Sequence, residues 1–97
     1  MIYVVDIDGT ICDTPYGNYF SAKPIKERIE KLNKLYDEGN EIIYYTARGS
    51  KTRVRWQQLT ENQLKEWGVK YHKLVMGKPY GDHYIDDHNL LLEDFFK

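Results

Sequence analysis

The sequence predicts an α/β fold in three layers, with one small, mostly parallel sheet flanked by helices. Two runs, Tyr3-Val4-Val5 and Glu41-Ile42-Ile43-Tyr44-Tyr45-Thr46, are rich in β-branched and aromatic residues and lack polar alternation, the pattern of strands buried on both faces. Between them Ile25, Ile29, Leu32 and Tyr36 recur at helical spacing, which marks one apolar stripe of an amphipathic helix. Strand, helix and strand in that order make a βαβ unit with parallel strands and a right-handed crossover.

Each element follows from local chemistry. The first strand should be central, and it runs directly into Asp6-Ile7-Asp8-Gly9-Thr10. Residues 12–18 hold Asp, Thr, Pro, Gly and Asn, turn formers that predict a loop or small hairpin. Pro24 suits the first turn of the helix and Gly39 supplies its stop. After the second strand, residues 47–58 are polar and basic. Thr60-x-x-Gln63 then has the capping-box pattern of a helix start, with Leu64 and Trp67 inward and Gly68 at the end. An earlier start near Thr52 is the alternative. Residues 71–75 are a candidate third strand, 77–81 are expected to be a turn and 83–86 a short fourth strand, and residues 89–96 have the apolar density of a closing helix.

Ninety-seven residues suffice for one core, so residues 1–97 are expected to be a single domain. With 41% hydrophobic and 30% charged residues and a net charge of -1, the chain has no bulk attraction for nucleic acid or an anionic membrane. Cys12 is the sole cysteine, which excludes an intramolecular disulfide and a cysteine zinc cluster and fits a reducing cytoplasm. The opening apolar run is short for a signal peptide or membrane span and has no basic leader, so a cytoplasmic location is expected.

The polar residues fall where an open parallel sheet places its ligands, beyond the carboxyl ends of the strands. Asp6 ends the first strand, Thr46 the second, and Asp86 with Asp87 the fourth, while Lys78 sits in the preceding turn. Two like charges about 4 Å apart repel by roughly 4 kcal/mol at an effective dielectric near 20. Asp6, Asp8, Asp86 and Asp87 together would push one another toward protonation and so predict a divalent cation, and an all-oxygen donor set favours Mg²⁺ over zinc or copper. With the cation bound, Asp6 is a candidate nucleophile toward phosphorus and Asp8 a candidate acid and base. Thr46 and Lys78 would hold the phosphoryl oxygens.

In that order, Asp6-Ile7-Asp8-Gly9-Thr10, Tyr44-Tyr45-Thr46, Lys78 and Tyr84-Ile85-Asp86-Asp87 resemble the four motifs of the haloacid-dehalogenase-like phosphatase superfamily. The resemblance spans nearly the whole chain. It implies a Rossmann-like core, an Asp6 nucleophile, Asp8 as acid and base, and phosphate contacts from Thr46, Ala47, Arg48 and Lys78. It further implies Mg²⁺ held by Asp6, the Asp8 carbonyl and Asp86, with Asp87 helping directly or through water. Thr46-Ala47-Arg48 and Asp86-Asp87 are also similar to the phosphatase portion of a phage polynucleotide kinase. The stretch Gly77-Lys78-Pro79-Tyr80-Gly81-Asp82 with Tyr84-Ile85-Asp86-Asp87 resembles small members linked to capsule and surface-polysaccharide synthesis. The spans available for a cap domain are each filled by one helix, so the resemblance implies an open, capless site, covered by a large substrate, a homo-oligomer or a partner subunit.

Taken singly, these residues have plainer readings. Asp-x-Asp-Gly-Thr is also a polar turn, Thr46 a strand residue, Lys78 a solvated lysine and Asp86-Asp87 a helix cap. Their joint order is what favours a site. The run Arg48, Lys51, Arg53 and Arg55 reads as a solvated face ahead of a contact for an anionic leaving group. His72, His83 and His88 read as surface or packed histidines, with His88 set apart by following Asp87. Cys12 reads as a small buried residue, and Trp56, Trp67 and the tyrosines as core or interface. The function expected is a Mg²⁺-dependent phosphomonoester hydrolase acting through an aspartyl phosphate, on a sugar phosphate or surface-polysaccharide precursor, with a nucleotide or nucleic-acid phosphate end as the alternative substrate. The rival readings are a phosphoacceptor signalling domain, whose motif order differs, and a non-catalytic or partner-dependent subunit of a biosynthetic complex.

Overall fold

The computed structural model describes residues 1–48, 56–77 and 90–96. Strand β1 (Ile2–Asp6) leads through a tight turn into β2 (Cys12–Asp13), which pairs antiparallel with β3 (Lys23–Pro24). Two 3₁₀ turns, Pro15–Gly17 and Tyr19–Ser21, lie between β2 and β3, and the Asn18 side chain accepts a hydrogen bond from Phe20 N–H at 3.1 Å. The small hairpin expected after the first strand is thus present. Pro24 belongs to its second strand, since Ile25 N–H donates to the Ile11 carbonyl at 2.8 Å and holds the chain extended until α1 (Lys26–Asp37) begins.

Helix α1 buries Ile29 and Leu32, the centre of the predicted stripe. Gly39, at φ +97°, ends it in a left-handed turn that a side chain would strain. Strand β4 (Glu41–Thr46) has the bounds expected from sequence and pairs parallel with β1. Helix α2 (Gln57–Glu66) follows, then β5 (Lys73–Met76), parallel to β4, and the short α3 (Leu92–Phe95). The described sheet has the order β1-β4-β5, as successive βαβ crossovers produce.

Besides the start of α1, three boundaries depart from the sequence reading. Helix α2 begins ahead of Thr60, whose hydroxyl donates back to the Trp56 carbonyl at 2.8 Å from inside the helix. Strand β5 starts two residues later than expected, because His72 is engaged by Ile42 through both its main chain and its ring. The His72 N–H donates to the Ile42 carbonyl at 2.8 Å, and His72 Nδ1 accepts from Ile42 N–H at 3.1 Å. The same ring stacks on Tyr36 at 4.6 Å, the packed one of the two roles, surface or packed, open to it. The closing helix is shortened to one turn, with Phe95 and Phe96 packed against the core.

The core occupies one face of the sheet. Ile42 and Tyr44 of β4 join Ile29, Leu32 and Leu64 from α1 and α2, with Ile7, Ile11 and Cys12 beneath the turn after β1. On the other face, Ile2 is 66% exposed, Val4 59% and Val75 47% among the described residues. The central, doubly buried position expected for β1 from its apolar run is not what the described strands show, since β4 lies between β1 and β5 and Val4 is exposed; the strand expected at 83–86 lies outside the described residues. No helix among the described residues is long and apolar enough to cross a membrane.

Candidate active site

The carboxyl end of β1 delivers the first group. Asp6 closes the strand, and one of its carboxylate oxygens accepts the Ile7 N–H at 2.8 Å. The chain then winds tightly, because Thr10 N–H and Ile11 N–H both donate to the Ile7 carbonyl, at 3.1 and 3.0 Å. Gly9 takes φ +82° and donates to the Cys12 carbonyl at 2.9 Å. The glycine is what lets the chain reverse so soon. Fully buried Ile7 and Ile11 anchor the turn from below.

Asp8 sits at the centre of a built polar cluster. Arg48 grips its carboxylate with two hydrogen bonds, Nε to one oxygen at 3.0 Å and Nη2 to the other at 2.8 Å. Thr14 Oγ1 donates to Oδ1 at 2.6 Å, and the Cys12 thiol approaches the same oxygen at 3.6 Å. The Asp8 side chain is 25% exposed and that of Arg48 0%. Burial raises the carboxyl's pKa, but the hydrogen bonds from Arg48 and Thr14 and the guanidinium charge outweigh it, so the pKa lies below the ordinary carboxylate value. At neutral pH Asp8 is a carboxylate at rest. Burial, with the Asp8 charge beside it, pushes the Cys12 thiol up to about 11, which keeps it protonated and inert.

Arg48 is itself held from three further sides. Its Nη1 donates to Thr60 Oγ1 at 3.1 Å and to Gln63 Oε1 at 2.6 Å, both on α2. The Tyr19 ring lies over the guanidinium at 4.7 Å. Gln63 Nε2 in turn donates to the Tyr19 carbonyl at 2.6 Å, tying α2 to the 3₁₀ segment. Thr46, the last residue of β4, is buried, and its hydroxyl oxygen accepts the Arg48 N–H at 3.1 Å. That bond fixes the turn Thr46-Ala47-Arg48 from which Arg48 reaches Asp8.

Of the site residues expected from sequence, the structure therefore gathers Asp6, Asp8, Thr46, Ala47 and Arg48 at the carboxyl ends of β1 and β4. Lys78, Asp86 and Asp87 lie outside the described residues, as do Lys51, Arg53, Arg55, His83 and His88. Arg48 departs from the solvated face expected of its basic run, because its guanidinium is enclosed by Asp8, Thr60, Gln63 and Tyr19. Sequence reasoning missed Thr14, Tyr19, Thr60 and Gln63 as members of the cluster. Thr60 and Gln63 carried a signal, read as a capping box. Thr14 and Tyr19 carried none, since they are polar or aromatic residues in a turn-rich segment.

Among the described residues no three His, Cys, Asp or Glu side chains gather as a metal cage. The donors that the end of β1 offers, the Asp6 carboxylate and the Asp8 main-chain carbonyl, are hard oxygens of the kind Mg²⁺ takes. Arg48 draws the Asp8 carboxylate away from that role. The set suits a Mg²⁺ shell completed from elsewhere in the chain, by water and by substrate.

No protein-family model matches the chain, and no curated protein matches it. Among solved structures, a structural-genomics target from Vibrio cholerae is similar at 27% identity and a TM-score of 0.87, over 98% of this chain and 86% of that one. A chain of a Pnkp1/Rnl/Hen1 complex is similar at 19% identity and a TM-score of 0.63, over 98% of this chain and 32% of that one. The α/β architecture is thus shared over almost the full chain.

Proposed function

We propose that this protein is a Mg²⁺-dependent phosphomonoester hydrolase in which Asp6 is the nucleophile, acting on a sugar phosphate or surface-polysaccharide precursor. One observation carries the reading: two residues after Asp6, a second carboxylate is fixed by a bidentate arginine pair at the carboxyl edge of a parallel sheet. A purely structural turn would need no such oriented carboxylate beside a strand-end aspartate. The resemblance of the four motifs to haloacid-dehalogenase-like phosphatases supports the same reading, and the fold likeness to the Pnkp1/Rnl/Hen1 chain is consistent with it.

In the first half-reaction an Asp6 carboxylate oxygen attacks phosphorus, the bond to the ester oxygen breaks, and Asp8 passes a proton to the departing alkoxide. Arg48 favours the Asp8 carboxylate, so that proton must be loaded first; a substrate monoanion carries one, its second pKa being near 6. In the second half Asp8 takes a proton from water as the water attacks the acyl phosphate, which releases inorganic phosphate and restores Asp6. General acid and base work of this kind is worth about 10²–10⁴-fold. The Thr46 hydroxyl and the Lys78 ammonium would steady the phosphoryl oxygens, with the Ala47 and Arg48 main chain close by. Mg²⁺, which Asp6, the Asp8 carbonyl, Asp86 and Asp87 would hold, supplies charge neutralisation at those oxygens.

The test is phosphate release from a panel of sugar phosphates, nucleotides and 3′- or 5′-phosphorylated oligonucleotides, with Mg²⁺ and with chelator. Release from sugar phosphates that needs Mg²⁺ is expected. Preference for oligonucleotide ends would replace the substrate class, and an inert protein that binds Mg²⁺ would favour a non-catalytic subunit.

A further inference from the structure

We infer that Arg48 is a positioning residue that acts on the reaction through Asp8 and does not hold the substrate's phosphate; this rests on the hydrolase reading above. An arginine just beyond a strand that ends at a phosphate site is ordinarily read as an anion contact. Here the geometry points elsewhere. The guanidinium has five N–H bonds. Four are directed at protein oxygens: Nε and Nη2 at the two Asp8 oxygens, and Nη1 at Thr60 and Gln63. Its side chain has no exposed surface and Tyr19 covers one face.

The pattern has a mechanical meaning. Two parallel bonds from a planar fork fix a carboxylate's plane as well as its position, which a lysine ammonium cannot do. A fork that could swing would fix nothing, and α2 prevents this by bracing its far edge with Thr60 and Gln63. Thr14 adds a third bond at 2.6 Å to the Asp8 oxygen that Nη2 also holds. Asp8 is thereby locked from two elements far apart in sequence, and the acid and base of both half-reactions keeps one orientation while its protonation changes. Misplacement of such a group by about 1 Å can cost 10²-fold in rate.

Arg48→Lys keeps the charge and removes the fork, so it separates positioning from electrostatics. It is expected to lower kcat by about 30- to 100-fold on an alkyl phosphate. KM and the inhibition constant of inorganic phosphate should stay within about threefold. In an Asp8→Asn background the same substitution should change kcat less than about twofold, because its effect is routed through Asp8. Gln63→Met, which leaves the Arg48–Asp8 pair and removes one brace, should show a smaller kcat loss with the same dependence on Asp8. It keeps the test open should Arg48→Lys fold poorly.

A tenfold rise in KM or in the phosphate inhibition constant with kcat held would overturn the inference, as would an equal loss in the Asp8→Asn background. A readout independent of turnover is the Arg48 Nε–H proton in NMR, expected to exchange slowly in the wild type and rapidly in Asp8→Ala. Slow exchange in both proteins would refute Arg48's hold on Asp8. Slow, Asp8-dependent exchange in a protein that releases no phosphate would support the hold and overturn the hydrolase reading instead.

Discussion

At the scale of single residues, the chain places a charged pair where burial makes it consequential. A surface pair such as Lys70 with Asp37, at 2.8 Å and about half exposed on both sides, is worth at most about 1 kcal/mol. The enclosed Arg48–Asp8 pair belongs to a different regime, in which removing one partner strands a buried charge at a cost of about 3–5 kcal/mol. Its pH dependence has a definite sign. Because the folded pKa of Asp8 lies below its unfolded value, the pair's stabilisation is fully present above about pH 4 and is lost as pH falls through the folded pKa. Acid unfolding of the Mg²⁺-free protein should therefore show a loss of midpoint temperature below about pH 4 that is shallower in Asp8→Asn. Cys12 supplies a second expectation at this scale. Buried and protonated, it should resist iodoacetamide at pH 8 in the native protein and react fully once unfolded.

At the scale of elements, legibility in the sequence followed how local the cause was. Strand β4 and helix α1 were readable because an unbroken apolar run and a 3.6-residue stripe are written in adjacent residues. Of the two starts open for α2, the one at Thr60 fails because Thr60-x-x-Gln63 has the right residues at the right spacing for a cap, while both side chains face Arg48 from inside the helix. What singles them out is a partner 12 and 15 residues away. Pro24 was similarly drawn out of the helix by the main-chain bond that its neighbour Ile25 makes to Ile11. The site was legible as far as Asp6, Asp8, Thr46, Ala47 and Arg48, but not in the direction Arg48 points. Trp56, at the entrance to α2, packs edge-on against Tyr19 at 5.1 Å and Phe20 at 5.3 Å. Each such pair is worth about 0.5–1.5 kcal/mol beyond area, so Trp56→Ala should cost at least about 1–3 kcal/mol, with the lost burial added to it. It should also speed amide exchange in residues 15–21, which checks that this contact seats the 3₁₀ segment.

At the scale of the whole molecule, two parallel βαβ crossovers put both helices on one face of the described sheet and bring the strand ends to one edge. That placement assembles a polar cluster from residues 8, 14, 46, 48, 60 and 63 at the sheet edge where β1 ends in Asp6. The central claim is that phosphate passes through Asp6, and the most direct measurement is to quench the protein in acid during turnover and map covalent phosphate on its peptides. A hydroxylamine-labile phosphate is predicted on the peptide that contains Asp6, formed with Mg²⁺ and absent from Asp6→Asn. Phosphate release at the wild-type rate by Asp6→Asn would contradict it.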